Sequence, residues 1–411
     1  MKKINMKRLL IVVIGISILL IVLIGGFAKL INYYRVKNAK VYIVLSDTLK
    51  TEVYSDVHIG DFIEEINGDI IDDKKIDTTR LGKQKIEFSY INEDNVKVPY
   101  SYTLDVVDET KPIISTYSKV EAYVGESEFY KDIFCGDNFD SHPKCYIDGD
   151  YDINKAGEYE VKFKGEDTSG NVSTQKITLT VKEKPKPVKE KKSKKKKEKV
   201  KVESNDFKDI VKKYKKDDTK VGIDVSKWQG DINYKKVKKA GVEFVIIKVG
   251  GQVEKEGSPI LDPKFKDNIK GFNKVNIPVG VYFYSHATTK LEAARQAKWV
   301  AKKIRKYDVD LPVAFDWENW DKYQSYNLSF HKLNSIADEF MTTIKNEGYK
   351  PMLYGSKSYL ETIWDTEKKN VWLAHYTKET DYSDSYMLWQ RCENGKVKGI
   401  KTLVDIDILY K

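Results

Sequence analysis

At 411 residues the chain has room for two or three domains, and 41% apolar residues are enough to build globular cores. The formal net charge of +10 is carried largely by one lysine-rich run, so it gives no reason to expect nucleic acid as a partner of the folded parts. No His/Cys cluster has metal-ligand spacing, which removes the usual signatures of a zinc or redox-metal protein.

Residues 9–30 (LLIVVIGISILLIVLIGGFAKL) are almost wholly apolar and about long enough to cross a bilayer as a helix. The basic residues Lys2, Lys3, Lys7 and Arg8 precede them, so the positive-inside tendency keeps residues 1–8 in the cytoplasm and exports the chain beyond residue 30. A cleaved signal peptide is the competing reading, but the apolar stretch is long for one and no Ala-x-Ala site comes after it. Either way the remainder lies outside the cell, as a single-pass membrane protein in the first case.

Between residues 41 and 183 the chain repeats itself. Residues 77–88 (DTTRLGKQKIEF) correspond to 152–163 (DINKAGEYEVKF), and 102–106 (YTLDV) to 177–181 (ITLTV) at the same offset. Short alternating runs broken by turns such as 167–171 (DTSGN) predict two small antiparallel sandwiches, residues 41–108 and 112–183. They resemble the bacterial immunoglobulin-like modules of surface proteins, which implies spacers or, second, modules that bind wall or partner. Cys135 and Cys145 flank a turn-rich segment and fit a small disulfide loop outside the cell, with two free thiols as the alternative. Cys392 is left over and is expected to pack as a small apolar residue.

Residues 184–218 form a lysine-rich linker. Twelve of the twenty residues 182–201 are lysine, and Pro185 and Pro187 stand at the start, so like-charge repulsion and the lack of apolar residues predict an extended, disordered tether. It is chiefly a solvated spacer, with anionic wall polymers or lipid headgroups as conceivable contacts. Residues 207–216 are expected to continue as a short helix.

From residue 219 apolar runs alternate with amphipathic segments. Strands are expected at 221–224, 244–249, 278–284, 312–316, 351–354, 371–375, 386–390 and 402–407, and helices at 234–240, 264–273, 291–306 and 328–346. Eight strands with helices mainly in the first half indicate an α/β domain, a modified (β/α) barrel over 219–411, whose chemistry would gather at the C-terminal strand ends. The fold class is therefore multidomain: an apolar helix, two all-β modules and this barrel.

Polar and aromatic residues fall at those ends. Asp224 ends the first strand, Tyr282 and Tyr284 share a face of the third, and Tyr354 ends the fifth. Trp372, Trp389 and Gln390 lie on later strands, and Asp405 on the last. For each lone aromatic, core packing is the plainer reading. Asp316 and Glu318, two residues apart, leave the same face of the fourth strand about 6.5 to 7 Å apart along the backbone. An isolated Asp-x-Glu is most often surface charge. Acids converging from several strands are different, because coupled carboxylates titrate apart and one of them can then donate a proton while the other stays anionic. Glycoside cleavage needs that division.

Residues 222–230 (GIDVSKWQG), the Asp316-Trp317-Glu318 strand, Trp389-Gln390 and residues 404–407 (VDID) resemble, in order and spacing, the family 25 glycoside hydrolases, the lysozymes or N-acetylmuramidases of bacteria and phages. The resemblance covers about residues 219–411 and implies an incomplete (β/α) barrel. It also implies hydrolysis of the β-1,4 bond between N-acetylmuramic acid and N-acetylglucosamine in peptidoglycan, without metal or organic cofactor. By position it makes Glu318 the general acid, Asp316 the group that steadies the substrate N-acetyl group or the developing positive charge, and Asp224 and Asp405 the acidic floor. Tyr282, Tyr284, Tyr354, Trp372, Trp389 and Gln390 would contact sugar. Asp407 stands where the family usually has Asn, and Phe283 where many members have His. The rival readings are an N-acetylhexosaminidase acting on chitin-like glycans and a wall-binding scaffold that no longer turns over.

Overall fold

The computed structural model describes residues 6–115, 119–126, 133–184, 204–252 and 258–411. It divides into two compact units, Met1–Glu109 and Thr110–Lys411. The first opens with the helix Met6–Lys37, whose stretch Ile14–Lys37 contains an 18-residue window of mean hydropathy 2.5 and leaves apolar side chains such as Leu19, Ile21 and Leu23 exposed. Its length and composition suit a membrane span, and a signal sequence passes the same test.

The repeat in the sequence is a repeat of topology. In the first unit, Lys50–Glu52, Lys97–Val107, Gly82–Asn92 and Gly68–Ile70 lie side by side in that order. In the second, Lys119–Tyr123, Val172–Lys182, Gly157–Glu166 and Lys144–Asp148 do the same. Alternate residues of the two long strands fill each core, Tyr90 and Leu104 in one copy, Phe163 and Leu179 in the other. The all-antiparallel expectation needs correction, since the first strand of each sheet pairs parallel with the last. The next strand in each sheet lies at its far edge, and the last of the two long strands lies alongside the first strand in the same direction. Cys135 and Cys145 are joined in a disulfide, and Cys392 is a buried free thiol.

Of the expected linker, residues 185–203 lie outside the described residues. The part from 205 to 214 is not linker. Asn205–Asp206 adds to the barrel sheet beside residues 395 and 396, and the helix Phe207–Tyr214 buries Phe207 and Ile210 in the barrel's outer core. Phe207 and Ile210, three positions apart on one helical face, are the reason: they supply the buried stripe that a solvated tether lacks.

Eight strands form the barrel: β1 Thr219–Val225, β2 Val245–Gln252, β3 Val279–Tyr284, β4 Val313–Asp316, β5 Pro351–Ser356, β6 Val371–Ala374, β7 Leu388–Lys396 and β8 Val404–Tyr410. Neighbours from β1 to β7 pair parallel, and β8 closes the ring by pairing antiparallel with both β1 and β7. Crossover helices Tyr234–Lys239, Phe265–Lys274, Lys290–Ile304, Phe330–Asn346 and Lys357–Thr362 come after β1 to β5 in turn. Their starts are set locally: Thr289 and Ser329 accept from the N–H groups of Glu292 and Lys332. Outward-facing Val245, Ile247, Val281, Phe283, Val313 and Phe315 pack under these helices. The alternate positions fill the interior with Ile246, Ala314, Met352, Trp372 and Leu409.

Gly222 on β1 lies where a Cβ would stand 2.5 Å from the Phe244 carbonyl oxygen and 2.6 Å from its ring. That backbone cannot retreat without disturbing β2. Gly222→Ala is therefore expected to lower stability by about 1–3 kcal/mol, measured as a fall in the thermal midpoint of the purified chain.

Candidate active site

The period of two along each strand decides which side chains meet at the top of the barrel. Asp224 stands directly opposite Asp405 across the β1–β8 ladder, and Gly222 opposite Asp407. Because β8 runs against its neighbours, its first residues, not its last, lie at the end where β1 finishes. That places Asp405 beside Asp224. Asp316 ends β4 next to Tyr354 of β5 and Tyr284 of β3, and Glu318 stands two residues later on the same side.

Asp224 is 4% exposed, Asp316 4% and Asp407 0%, whereas Glu318 stands exposed at the lip. Donors converge on this floor. Gln390 Nε2 donates to Asp224 Oδ2 at 2.8 Å, and the amide oxygen of Gln390 accepts from the hydroxyls of Tyr354 at 2.9 Å and Tyr376 at 3.0 Å. Trp372 Nε1 donates to Asp407 Oδ1 at 2.9 Å. Asp316 Oδ1 is buried with no hydrogen-bond partner among the described residues.

Burial, and then the charges of Asp405 and Asp407, hold the Asp224 carboxyl well above the usual carboxylate range. Burial likewise raises Asp407, with Asp405 adding to it. Asp405 is pushed up to about 6, mainly by desolvation, while its hydrogen bond to Asp224 opposes the rise. Asp316 is raised by burial and by Glu318; Glu318 is raised by desolvation, and Lys248 pulls both of them back down. Two groups of acids therefore meet at the barrel mouth, Asp224 with Asp405 and Asp407 and Asp316 with Glu318, and within each group the charge of one member raises the proton affinity of another.

Lys248 is a site residue that sequence reasoning does not single out. It lies on β2 with its ammonium 5.6 Å from the Tyr282 ring centre and 4.4 Å from that of Tyr284, so a cation sits among the acids. The signal is present, a single lysine on the inward parity of an otherwise apolar buried strand. Tyr376, one residue beyond His375 after β6, carries no comparable signal.

Two expected sugar contacts do not present a ring to the cleft. Trp389 and Gln390 are adjacent and so point to opposite faces; Trp389 turns outward, 3% exposed, against Tyr214, with its Nε1 donating to the His375 carbonyl. Trp372 faces inward but is 2% exposed beneath Tyr354 and Tyr282, a support for the floor. Tyr282 and Tyr284 are half-buried beside Lys248. Phe283 lies in the outer core and does not line the cleft.

An open hollow of about 480 Å³ adjoins these acids, lined by Glu318, Tyr354, Lys357, Glu361, His375 and Tyr376 among others. A larger one, about 850 Å³, lies on the first β module, but its charges are spent on each other in the pairs Lys74–Asp72 and Lys85–Glu87 and no acids converge there.

Residues 223–400 match the family model described as glycosyl hydrolases family 25. The barrel is a glycoside hydrolase domain that is similar to family 25. The chain is 25% identical over 189 residues to the autolytic lysozyme of Clostridium acetobutylicum, a match covering 45% of this chain and 54% of that one. It is 28% identical over 198 residues to lysozyme M1 of Streptomyces globisporus, covering 45% of this chain and 65% of the relative. Among solved structures, the modular autolysin LytC of Streptococcus pneumoniae aligns at 25% identity with a TM-score of 0.42, covering 61% of this chain and 56% of that chain. The chain thus spans between about half and two thirds of the length of these relatives.

A carboxyl whose folded pKa is raised binds its proton more tightly in the folded state. Its contribution to stability is present below the unfolded value near 4 and is lost as pH rises through the folded value. For Asp405 that window runs from about pH 4 to about 6. Asp405→Asn is expected to flatten the decline in stability across this window by on the order of 1–2 kcal/mol after solvent screening, measured by denaturant unfolding at half-unit pH steps.

Proposed function

We propose that the barrel domain is a peptidoglycan hydrolase of muramidase type, cleaving the β-1,4 bond between N-acetylmuramic acid and N-acetylglucosamine. One observation carries the reading: Asp316 and Glu318 sit in coupled, proton-retaining surroundings at a cleft opposite a second acid pair, Asp224 and Asp405. Glu318 is the member of its pair that reaches the open cleft, so it protonates the leaving glycosidic oxygen. Asp316 lies beneath it, 4% exposed and with one carboxyl oxygen unspent, suited to hold the substrate's 2-acetamido group as that group assists departure. Lys248 keeps the pair from binding protons so tightly that none can be transferred. Tyr282 and Tyr284 offer half-exposed rings to the sugar faces. Gln390, Tyr354 and Trp372 position the floor and do not enter the chemistry.

The apolar helix is read as an uncleaved anchor with the N-terminus in the cytoplasm, the two β modules as immunoglobulin-like, and the lysine-rich run chiefly as a solvated spacer, with anionic wall polymers as its second reading. Together these fit local wall remodelling from the outer membrane face better than a freely released lytic enzyme.

Glu318→Gln keeps the shape and removes the proton. It is expected to slow release of reducing ends from purified peptidoglycan by about 10²–10⁴-fold while leaving sedimentation with the wall unchanged. Muramic acid at the new reducing ends supports the reading; glucosamine ends would favour the chitin-type hexosaminidase, and equal turnover by the variant would remove Glu318 from the mechanism.

A further inference from the structure

The loop that carries Glu318 is backed by aromatic rings. Trp317, between the two acids, points away from the cleft, is 1% exposed, and donates its indole N–H to the Ala287 carbonyl at 3.2 Å. Its ring meets Trp320 at 4.8 Å and Tyr323 and Tyr326 at 6.1 Å, all on the adjoining turn Trp320–Tyr326. The outer wall of this cluster does not come from the barrel.

It comes from the second β module. Phe134 is 6% exposed and sits 4.9 Å from Tyr323, 5.5 Å from Trp320, 5.9 Å from Phe330 and 6.1 Å from Tyr359, measured between ring centres. Among the described buried residues of that module, Phe134 alone belongs to the barrel's core, while its neighbours Ile133 and Cys135 face the module's own. Alternation along Phe134–Gly136 explains the split. Cys135 turns inward to its disulfide with Cys145, so Phe134 and Gly136 turn toward the barrel. Gly136 is needed there, because a Cβ would stand 2.6 Å from the Phe330 ring.

The contact is also polar and directional. The first two N–H groups of the helix Phe330–Asn346, which have no partner within their own helix, donate to module carbonyls: Phe330 N to Asp137 O at 2.7 Å and His331 N to Asn138 O at 3.2 Å. The His142 ring bonds the Asn327 side chain, at the left-handed residue (φ 56°) that ends the turn. The segment between Glu318 and the helix is thereby fixed from the module at its middle and at its far end.

We propose that the second β module is a built-in positioning element for the catalytic loop rather than a detached spacer, with Phe134 as the positioning residue that, through Trp320 and Trp317, aims Glu318 into the cleft. The proposal rests on the muramidase reading for its substrate, but not for its mechanics. An aromatic plug removed from behind a general acid leaves the acid present and poorly aimed, which lowers turnover more than binding.

The test compares the full chain with its Phe134→Ala, Phe134→Leu and His142→Ala variants, each checked for native circular dichroism. On purified peptidoglycan, Phe134→Ala is expected to lose about 10- to 100-fold in kcat with KM within about twofold of the parent. Phe134→Leu, which refills the pocket, is expected to recover most of that loss. Backbone amides of residues 318–327 should exchange with solvent about tenfold faster in Phe134→Ala, while those of β1 and β8 keep their rates. If Phe134→Ala does not fold, His142→Ala, which cuts the bond to Asn327 and otherwise only a local one to the Ser141 hydroxyl, should show the same pattern in smaller measure. A folded Phe134→Ala with parental kcat and parental exchange in 318–327 overturns the proposal, as does a loss confined to KM. A parent chain inactive on peptidoglycan counts against the muramidase reading instead, and the exchange rates then decide the positioning role alone.

Discussion

The constraint on which the barrel depends is the crowding of carboxyl groups at one end of a closed sheet. Water is largely excluded from Asp224, Asp316 and Asp407, and like charges at this spacing cannot all be ionised together. The surrounding architecture answers that cost. The antiparallel return of β8 sets Asp405 directly across from Asp224, so that the charge of one raises the proton affinity of the other. Gln390, held by two tyrosine hydroxyls, gives its amide N–H to Asp224, and the indole of Trp372 serves Asp407. On the other side the cation of Lys248 offsets Asp316 and Glu318. Asp407, at a position where the family resemblance leads one to expect asparagine, fits this scheme: a buried carboxyl kept protonated hydrogen-bonds much as an amide does, at the cost of titrating with its neighbours.

Much of the barrel is legible because buried parallel strands are written as short apolar runs and their crossover helices as amphipathic ones. Asp224, Asp316, Glu318 and Asp405 can be assembled from strand ends alone. Contacts that parity or direction decides are harder. Trp389 and Gln390 cannot share a face, so treating both as sugar contacts ignores the pleat. The direction of β8 is not evident, since a run such as VDIDILY reads the same in either sense. Lys248 is inconspicuous because one lysine in an apolar strand looks like an edge position until the strand is known to be central.

Outside the barrel the sequence is a weaker guide. The duplication is plain in residues 77–88 and 152–163, yet the parallel pair within each copy depends on long loops whose paths carry no periodic signal. Phe134 illustrates the hardest case. It is an aromatic residue in a short strand, beside a cysteine, and nothing in its neighbourhood distinguishes a residue that fills its own module from one that fills the domain joined to it. Residues 205–214 pass for tether because the lysine run before them sets the expectation, although Phe207 and Ile210 already describe a buried helical face.

Raised proton affinity among the acids at the barrel mouth is the central claim, and carbon-13 NMR titration of the aspartate and glutamate carboxyls reads it directly. The prediction is that the carboxyls of Asp224, Asp316 and Asp407 keep their protons well beyond the ordinary carboxylate range near pH 4, and that Asp405 titrates at about 6, with curves broadened by mutual coupling. Independent titration of all of them near pH 4 would contradict it, because separate, freely ionising carboxylates do not form a coupled floor.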